Sequence, residues 1–208
     1  GFALYRPPLV SHRLFLAGPD RSYWTFCGHH VTADGATAAM AVHRLAEVYS
    51  VLVAGEPVEA RPPGSLARLV ELDAAYHASA AAERDRAWWL DRMAGAPDPV
   101  RLGRSDAPPS AATVRRSLAL SPELDAQVRR AASTGRRRPS SFATAAVAAY
   151  LHRLTGARDL VVGLPVTARA GPELRSLPGM LSNIVPLRLA VRAEQTGAEL
   201  VDHVTAEI

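Results

Sequence analysis

The chain has 208 residues, of which 48% are apolar, so it can bury a sizeable core and is not expected to be disordered. Its net charge is +4, and all 24 basic residues are arginines. The single cysteine, Cys27, excludes a disulfide framework and a cysteine-rich zinc site, which favours a cytoplasmic protein. No membrane span is expected, because no run of about 18 apolar residues occurs. The basic run at 136–138 lacks interleaved aromatic residues, so nucleic-acid binding is not expected either.

The first half of the chain predicts a hairpin followed by helices. Alternating apolar residues predict strands at 13–17 and 22–28, joined by a turn at 18–21. Apolar residues spaced three and four apart predict helices at about 36–53, 65–79 and 82–94. The stretch FCGHHVTADGAT therefore lies where a strand leads through a loop into a helix.

The second half mixes strands and helices as well. Residues 98–112 are rich in Pro, Gly, Ser and Asp, which predicts a linker between two lobes. Ser121 followed by Pro122 predicts a helix start, with the helix ending near Gly135. The remaining predicted elements are a strand at 114–120, a helix at 140–154 and strands at 160–165 and 184–191. The mixture indicates an α/β or α+β fold.

The neighbouring histidines are candidates for chemistry. A metal site would draw on His29, His30, Asp34 and His43, which are suitable ligand types. However, adjacent residues on an extended strand point to opposite faces, and no H-E-x-x-H spacing is present. We therefore expect no metal ion.

Three other interpretations of the same stretch stay open from the residues alone. The histidines could be satisfied core residues, with Asp34 as a helix N-cap. Cys27 could form a dyad with a histidine, although no activating cationic pocket is visible. Alternatively, one histidine could be structural while the other transfers protons near neutral pH. Gly35 would then permit close approach, and the helix N–H groups could stabilise an oxyanion, which is equipment for acyl transfer to an amine or alcohol.

Three blocks of sequence carry a family resemblance. HHVTADG resembles the HHxxxDG motif of condensation domains of nonribosomal peptide synthetases, and VVGLPVTARAG is similar to their VGxPxxxR segment. GMLSNIVPLRL resembles their GxxxNxxPLR segment through Gly179, Asn183, Pro186, Leu187 and Arg188. The blocks occur in order. The lead-in to the first motif, the helix after it (VHRLAEVYSVLVAGEP) and the stretch LARLVELDAAYHASAAAERDRAWWLDRMAG are also similar to the family, so the resemblance covers almost the whole chain. One departure is that Ala36 and Thr37 stand where the family usually has an aromatic or small residue followed by serine.

The resemblance implies a chloramphenicol-acetyltransferase-like fold of α/β class, built as two-layer α+β lobes with a tunnel between them. Residues 1–97 would be the rear of the first lobe, 98–112 the linker and 113–208 part of the second lobe. We expect the chain to be a fragment, lacking about a hundred residues of the first lobe and the end of the second. We also expect the fragment to be inactive alone, because it lacks one tunnel wall.

The resemblance further implies amide formation between a donor acyl or peptidyl thioester and the amine of an acceptor aminoacyl thioester. His30 would accept the proton of the amine, with His29 and Gly35 as motif support and Asn183 lining the tunnel. Asp34 would pair with Arg169. No cofactor would bind the domain; carrier proteins would deliver phosphopantetheine arms, beside an adenylation domain, in antibiotic or other secondary metabolism. The alternatives are an ester-forming HHxxxDG acyltransferase and a non-catalytic gating or binding domain.

Overall fold

The computed structural model describes residues 2–60, 64–103, 114–133 and 137–208. The chain divides into two compact units. The first unit comprises Gly1–Trp88 and Pro165–Ile184, and the second comprises Trp89–Leu164 and Val185–Ile208. Both helices and strands occur, which confirms the predicted mixed class. None of the described helices is both long enough and apolar enough to cross a bilayer.

The first unit begins with a hairpin of β1 (Val10–Gly18) and β2 (Arg21–Gly28). The strands pair antiparallel from Val10 opposite Gly28 to Gly18 opposite Arg21, with a register shift near the turn. His12, Trp24 and Phe26 stack on one face, with ring centroids 5.3 to 6.3 Å apart. This packing follows from the alternation of side chains along each strand, and it confirms the predicted hairpin.

Helices follow the hairpin, and all three lie close to their predicted bounds. They are α1 (Gly35–Val53), α2 (Leu66–His77) and α3 (Ala80–Arg92). Asp34 is the N-cap of α1, because its carboxylate accepts a hydrogen bond from the Thr37 N–H at 2.8 Å. The chain leaves the helix through Gly55, whose φ of +73° favours glycine.

The second unit contains three of the later helices. They are α4 (Pro122–Ser133), α5 (Pro139–Thr155) and α7 (Gly197–Glu207). The Ser121 hydroxyl accepts from the Leu124 N–H at 3.2 Å, so Ser121 caps α4 as predicted. The predicted end of this helix, near Gly135, falls outside the described residues. Pro139 starts α5 and left-handed Gly156 ends it.

The later part of the chain also supplies β3 (Asp159–Val166), α6 (Gly171–Ser176) and β4 (Asn183–Ala190). Strands β3 and β4 pair as a two-stranded sheet, which confirms both predicted strands. In the second unit an apolar core forms between α5, α7 and these strands. Ala148, Leu160, Leu189 and Val204 are completely buried in it.

The predicted strand at 114–120 is wrong, because the structure has no strand there. Val114, Leu118 and Leu120 are all exposed, and Leu118 is 93% exposed. The alternation of its residues resembles a strand, but a strand also needs a neighbour to satisfy its backbone groups. Within the described residues, no other strand pairs with this segment.

The compact units differ from the contiguous lobes expected from the sequence. Residues 165–184 group with the N-terminal part of the chain, because Arg169 and the residues after it bind Asp34 and Thr37. The linker expected at 98–112 lies mostly outside the described residues. The lobe boundaries therefore stay a prediction.

Candidate active site

The two histidines follow strand β2 in a tight turn. The strand ends at Gly28, and the Thr32 N–H donates to the His29 carbonyl at 2.9 Å. The Thr32 hydroxyl reinforces the turn by donating to the same carbonyl at 2.7 Å. Strand alternation therefore does not set the directions of the two side chains, contrary to the sequence-based argument.

The histidines differ in exposure and bonding. His29 is half-buried, and its Nδ1 accepts from the Val31 N–H at 3.1 Å. That bond uses Nδ1 as an acceptor and leaves Nε2 as the other nitrogen of the ring. His30 is exposed. The turn thus presents His30 to its surroundings while His29 is tied to the local backbone.

Asp34 lies four residues after His30, and its carboxylate has several hydrogen-bond partners. Arg169 Nη2 lies 3.0 Å from each of its oxygens, and both side chains are buried. The N–H groups of Leu181 and Ser182 each donate to Asp34 Oδ2 at 3.1 Å. The structure therefore brings together Asp34 and Arg169, which are 135 residues apart in the chain.

The hydrogen bonds decide the charge of Asp34. Burial alone would raise the pKa of this carboxyl group, but the backbone N–H groups of Thr37 and Leu181, together with Arg169, outweigh it. The pKa of Asp34 consequently lies well below its usual range. The group is a fixed anion at neutral pH, and its lone pairs are directed at the protein rather than at a substrate.

Arg169 links Asp34 to α6 and to the segment that follows this helix. Its Nη1 donates to the carbonyls of Leu174 and Leu177 at 2.8 and 2.5 Å. Its Nη2 also donates to the Gly179 carbonyl at 2.9 Å. Its Nε is buried without a hydrogen-bond partner among the described residues. We call Asp34, Thr37, Arg169 and residues 177–182 the polar knot.

Thr37 is a member of the polar knot that the sequence analysis missed. Its hydroxyl donates to the Gly179 carbonyl at 2.8 Å and accepts from the Gly179 N–H at 2.9 Å. The available signal was the family's serine at this position, because serine and threonine share the hydroxyl. The threonine departs from the family's serine in residue type but preserves that group.

Two other predicted site residues, Asn183 and Gly35, lie outside the polar knot. Asn183 is exposed, its Oδ1 accepts from the Ile184 N–H at 2.8 Å, and it lines a cavity of about 530 Å³ in the first unit with Leu69 and Leu181. Gly35 begins α1, and a Cβ there would meet no atom of the structure within 4 Å. The close approach expected at Gly35 would be to a substrate, so it stays a prediction.

The residues considered for a metal ion do not converge. His43 is on the exposed side of α1, where it lies 3.5 Å from Glu47. Across the described ranges, no group of three or more His, Cys, Asp or Glu residues is arranged to hold a metal ion. Cys27 is exposed on β2, opposite Ser11.

The exposed histidine in a turn, followed by a buried aspartate–arginine pair at a helix start, lies in the segments that resemble the HHxxxDG and VGxPxxxR motifs. Sequence comparison assigns the family: a profile described as "Condensation domain" matches residues 1–208. The chain belongs to the condensation-domain family of nonribosomal peptide synthetases. Its fold is accordingly the chloramphenicol-acetyltransferase-like fold, as the resemblance implied.

Individual relatives agree with this assignment. A dimodular nonribosomal peptide synthase of Bacillus subtilis (strain 168) is 36% identical over 97% of the chain. The first condensation domain of the CDA synthetase is 45% identical, with a TM-score of 0.85 over 97% of the chain. The starter condensation domain of rhizomide synthetase is 35% identical, with a TM-score of 0.87 over 99% of the chain. The chain spans 8% of the Bacillus protein and 45% and 46% of the two solved chains.

Proposed function

We propose that these residues form part of a condensation domain that joins a donor acyl or peptidyl thioester to the amine of an acceptor aminoacyl thioester. The observation that carries the proposal is the geometry of the motif. His30 is exposed in its turn, four residues before the buried Asp34–Arg169 pair at the start of α1. Family membership along residues 1–208 supports the same reaction.

In the proposed chemistry, His30 transfers the proton and Asp34 holds the loop in place. The acceptor amine attacks the thioester carbonyl while the His30 imidazole takes a proton from the nitrogen. The new C–N bond forms, the C–S bond breaks, and the leaving thiolate receives the proton back from the His30 imidazolium. Asp34 has no part in this transfer, because its oxygens are occupied by Thr37, Arg169, Leu181 and Ser182. Its role is to fix the loop that presents His30.

The proposed partners are the donor and acceptor carrier domains, whose phosphopantetheine arms bring both thioesters. An adenylation domain would load the acceptor, and the assembly would work in the cytoplasm. Holding both thioesters in line supplies much of the rate, because a bimolecular step becomes effectively unimolecular. The domain therefore needs no bound cofactor of its own in this proposal.

The test replaces His30 by alanine in the parent synthetase and measures amide formation with both carriers loaded. We expect His30→Ala to abolish turnover and leave the melting temperature nearly unchanged, because His30 is exposed. His43→Ala is the matched control, since His43 is an exposed histidine on the following helix. His29→Ala should lower the melting temperature, because His29 is half-buried and bonded to the Val31 N–H.

The outcomes separate the proposal from its rivals. Wild-type turnover that persists in His30→Ala would refute the assigned proton transfer. An ester product formed only from an alcohol acceptor would indicate another HHxxxDG acyltransferase. Carrier binding by the wild type without any product would indicate a gating or binding domain.

A narrower proposal concerns the donor. The two solved relatives are a first and a starter condensation domain, and the starter domain was crystallised with C8-CoA and Leu-SNAC. We infer that this domain also accepts an acyl donor rather than a peptidyl donor. Competition between octanoyl-loaded and peptidyl-loaded donor carriers tests this inference. Preferential use of the peptidyl donor would contradict it without affecting the proposed amide chemistry.

A further inference from the structure

We propose that Thr37 is a positioning residue, which locks the 177–182 segment to the start of α1 and so sets Asn183 relative to the His30 turn. This inference rests on the proposed function, because His30 and Asn183 are the groups being positioned. Thr37 acts through the backbone of Gly179 and does not contact the reacting atoms.

The hydroxyl of Thr37 is fully used by the protein. It donates to the Gly179 carbonyl at 2.8 Å, and it accepts from the Gly179 N–H at 2.9 Å and from Arg169 Nη2 at 3.2 Å. A hydroxyl has one donor and two acceptor positions. Gly179 occupies the donor position and one acceptor position, and Arg169 Nη2, whose two N–H groups are shared with Asp34 and the Gly179 carbonyl, lies at the other. It therefore has no free capacity for a substrate. Its function is to hold both backbone groups of one glycine.

The segment held by Thr37 is also confined on its other side. A Cβ at Gly179 would lie 2.6 Å from Leu69 Cδ2 of α2, so the backbone is pressed against that helix. The φ of Gly179 is +143°, which disfavours a side chain in any case. A Cβ at Gly64 would likewise overlap with Leu177 Cδ2. Residues 177–182 thus pack against α2 and the residue Gly64 before it, whereas the hydrogen bonds of Thr37 and Asp34 fix the position of these residues along the chain direction.

The position of the 177–182 segment is connected to both groups of the site, Asn183 and His30. Asp34 accepts from the N–H groups of Leu181 and Ser182, and Asn183 is the next residue and the first of β4. In the other direction, Asp34 is connected through three residues to His30. Hydrogen bonds are directional, whereas apolar contacts permit sliding. Loss of the Thr37 hydroxyl should therefore let 177–182 shift without unfolding.

The kinetic test compares Thr37→Val, which keeps the shape and removes the hydroxyl, with Thr37→Ser, which keeps the hydroxyl. We expect kcat per folded molecule of the parent synthetase to fall about 10- to 100-fold in Thr37→Val, as for a displacement of about 1 Å. KM for the loaded carriers should stay near the wild-type value, and Thr37→Ser should restore kcat. A merely structural role would reduce the folded fraction and leave this kcat unchanged.

Thr155→Val is the matched control. The Thr155 hydroxyl also donates to a carbonyl and accepts from an N–H, those of Leu151 and Ala157, but it belongs to the second unit. We expect Thr155→Val to keep the wild-type kcat. An equal fall in both valine variants, or no fall in Thr37→Val, would overturn the proposal.

A second measurement does not depend on turnover or on the folding of any variant. Amide hydrogen exchange of the wild type should show the Gly179 N–H protected together with those of Leu181 and Ser182. Exchange of Gly179 at the unprotected rate would overturn the proposal even if Thr37→Val fails to fold. If the wild type makes no amide although Gly179 is protected, the proposed function fails, whereas the attachment of 177–182 to α1 through Thr37 is supported.

Discussion

The two units of the molecule differ in what fills their centres. Among the described residues of the first unit, the buried side chains are Leu69 and Leu177 with the charged pair Asp34 and Arg169. In the second unit nine apolar residues form one buried cluster, in which Leu160, Leu189 and Val204 are completely inaccessible. One centre is therefore held mainly by directed polar bonds and the other by apolar packing.

This difference indicates that the first unit depends more than the second on the precise orientation of its segments. Apolar burial stabilises in proportion to area and tolerates small displacements, since the hydrophobic effect is non-directional. A buried ion pair adds little net stability. The backbone hydrogen bonds that Asp34 and Arg169 also make nevertheless connect the segments that meet there. The first unit carries the histidine turn, and it is also the unit whose segments are fixed in this way.

The largest expected effect comes from breaking the ion pair. Asp34→Ala should destabilise the first unit by about 3–5 kcal/mol, because Arg169 would remain as an unpaired buried charge. Amide hydrogen exchange measures the two units separately within one sample. Protection should fall in α1 and at 179–182, whereas α5 and α7 should keep theirs.

The double variant Asp34→Ala/Arg169→Ala is the control for this effect. Removing both charges should cost less than the sum of the two single changes, since neither charge is then stranded. Strict additivity would show that the pair is not the source of the loss.

Truncation of the apolar core should have a comparable but less specific effect. Leu160→Ala removes a completely buried side chain from the second unit, and such changes cost about 2–5 kcal/mol. Loss of exchange protection should spread over α5 and α7. Leu118→Ala, at a position 93% exposed, should change neither unit. An effect of Leu160→Ala confined to one residue would contradict a cooperative core.

Lowering the pH should destabilise the first unit more than the second. The folded-state pKa of Asp34 is depressed, so its stabilisation is complete above its unfolded value of about 3.9 and is lost as the pH falls through the lower folded value. Asp159 and Asp202 of the second unit also have lowered pKa values, through Arg188 and Arg137, but they are much more exposed. Below about pH 4, we therefore expect protection to fall further at 179–182 than in α7. A larger loss in α7 would reverse the comparison.

The smallest expected effect is at a helix start in the second unit. Thr196 and Glu199 form a capping box, in which the Glu199 N–H donates to the Thr196 hydroxyl and the Thr196 N–H to the Glu199 carboxylate. Thr196→Ala should cost about 1 kcal/mol and raise exchange in the first turn of α7. The conservative change Thr196→Ser should leave that turn protected.

Most of the secondary structure could be predicted because its signals are local. The alternation around Trp24 and Phe26, the caps at Asp34 and Ser121 and the stop at Gly156 each involve a few neighbouring residues. The segment 114–120 has the same alternation, but a strand depends on a partner that its own sequence does not specify. Helix α7 was missed although its capping box can be recognised in the sequence.

The candidate site was less accessible to sequence reasoning. The pairing of Asp34 with Arg169 was anticipated through the family motifs, because spacing alone does not connect residues 135 positions apart. The end of the strand at Gly28 was predicted, but the tight turn at His29–Thr32 was not, since the two histidines were treated as neighbouring residues of an extended strand. The bonds of Thr37 to Gly179 depend on the tertiary fold, so only the presence of a hydroxyl could be read from the sequence.

The discontinuity of the first unit has a consequence for synthesis on the ribosome. Asp34 emerges long before Arg169, and at about 5–20 residues per second the intervening 135 residues require roughly 7–27 seconds. Throughout that interval the nascent chain carries the carboxylate without its arginine, and α1 without the segment that binds its first turn. The hairpin and α1 can form from local contacts, but the histidine turn gains its final support only after residue 182 has left the exit tunnel. Translational pausing shortly before that point would prolong the period in which the reactive end of the domain is available to chaperones and proteases.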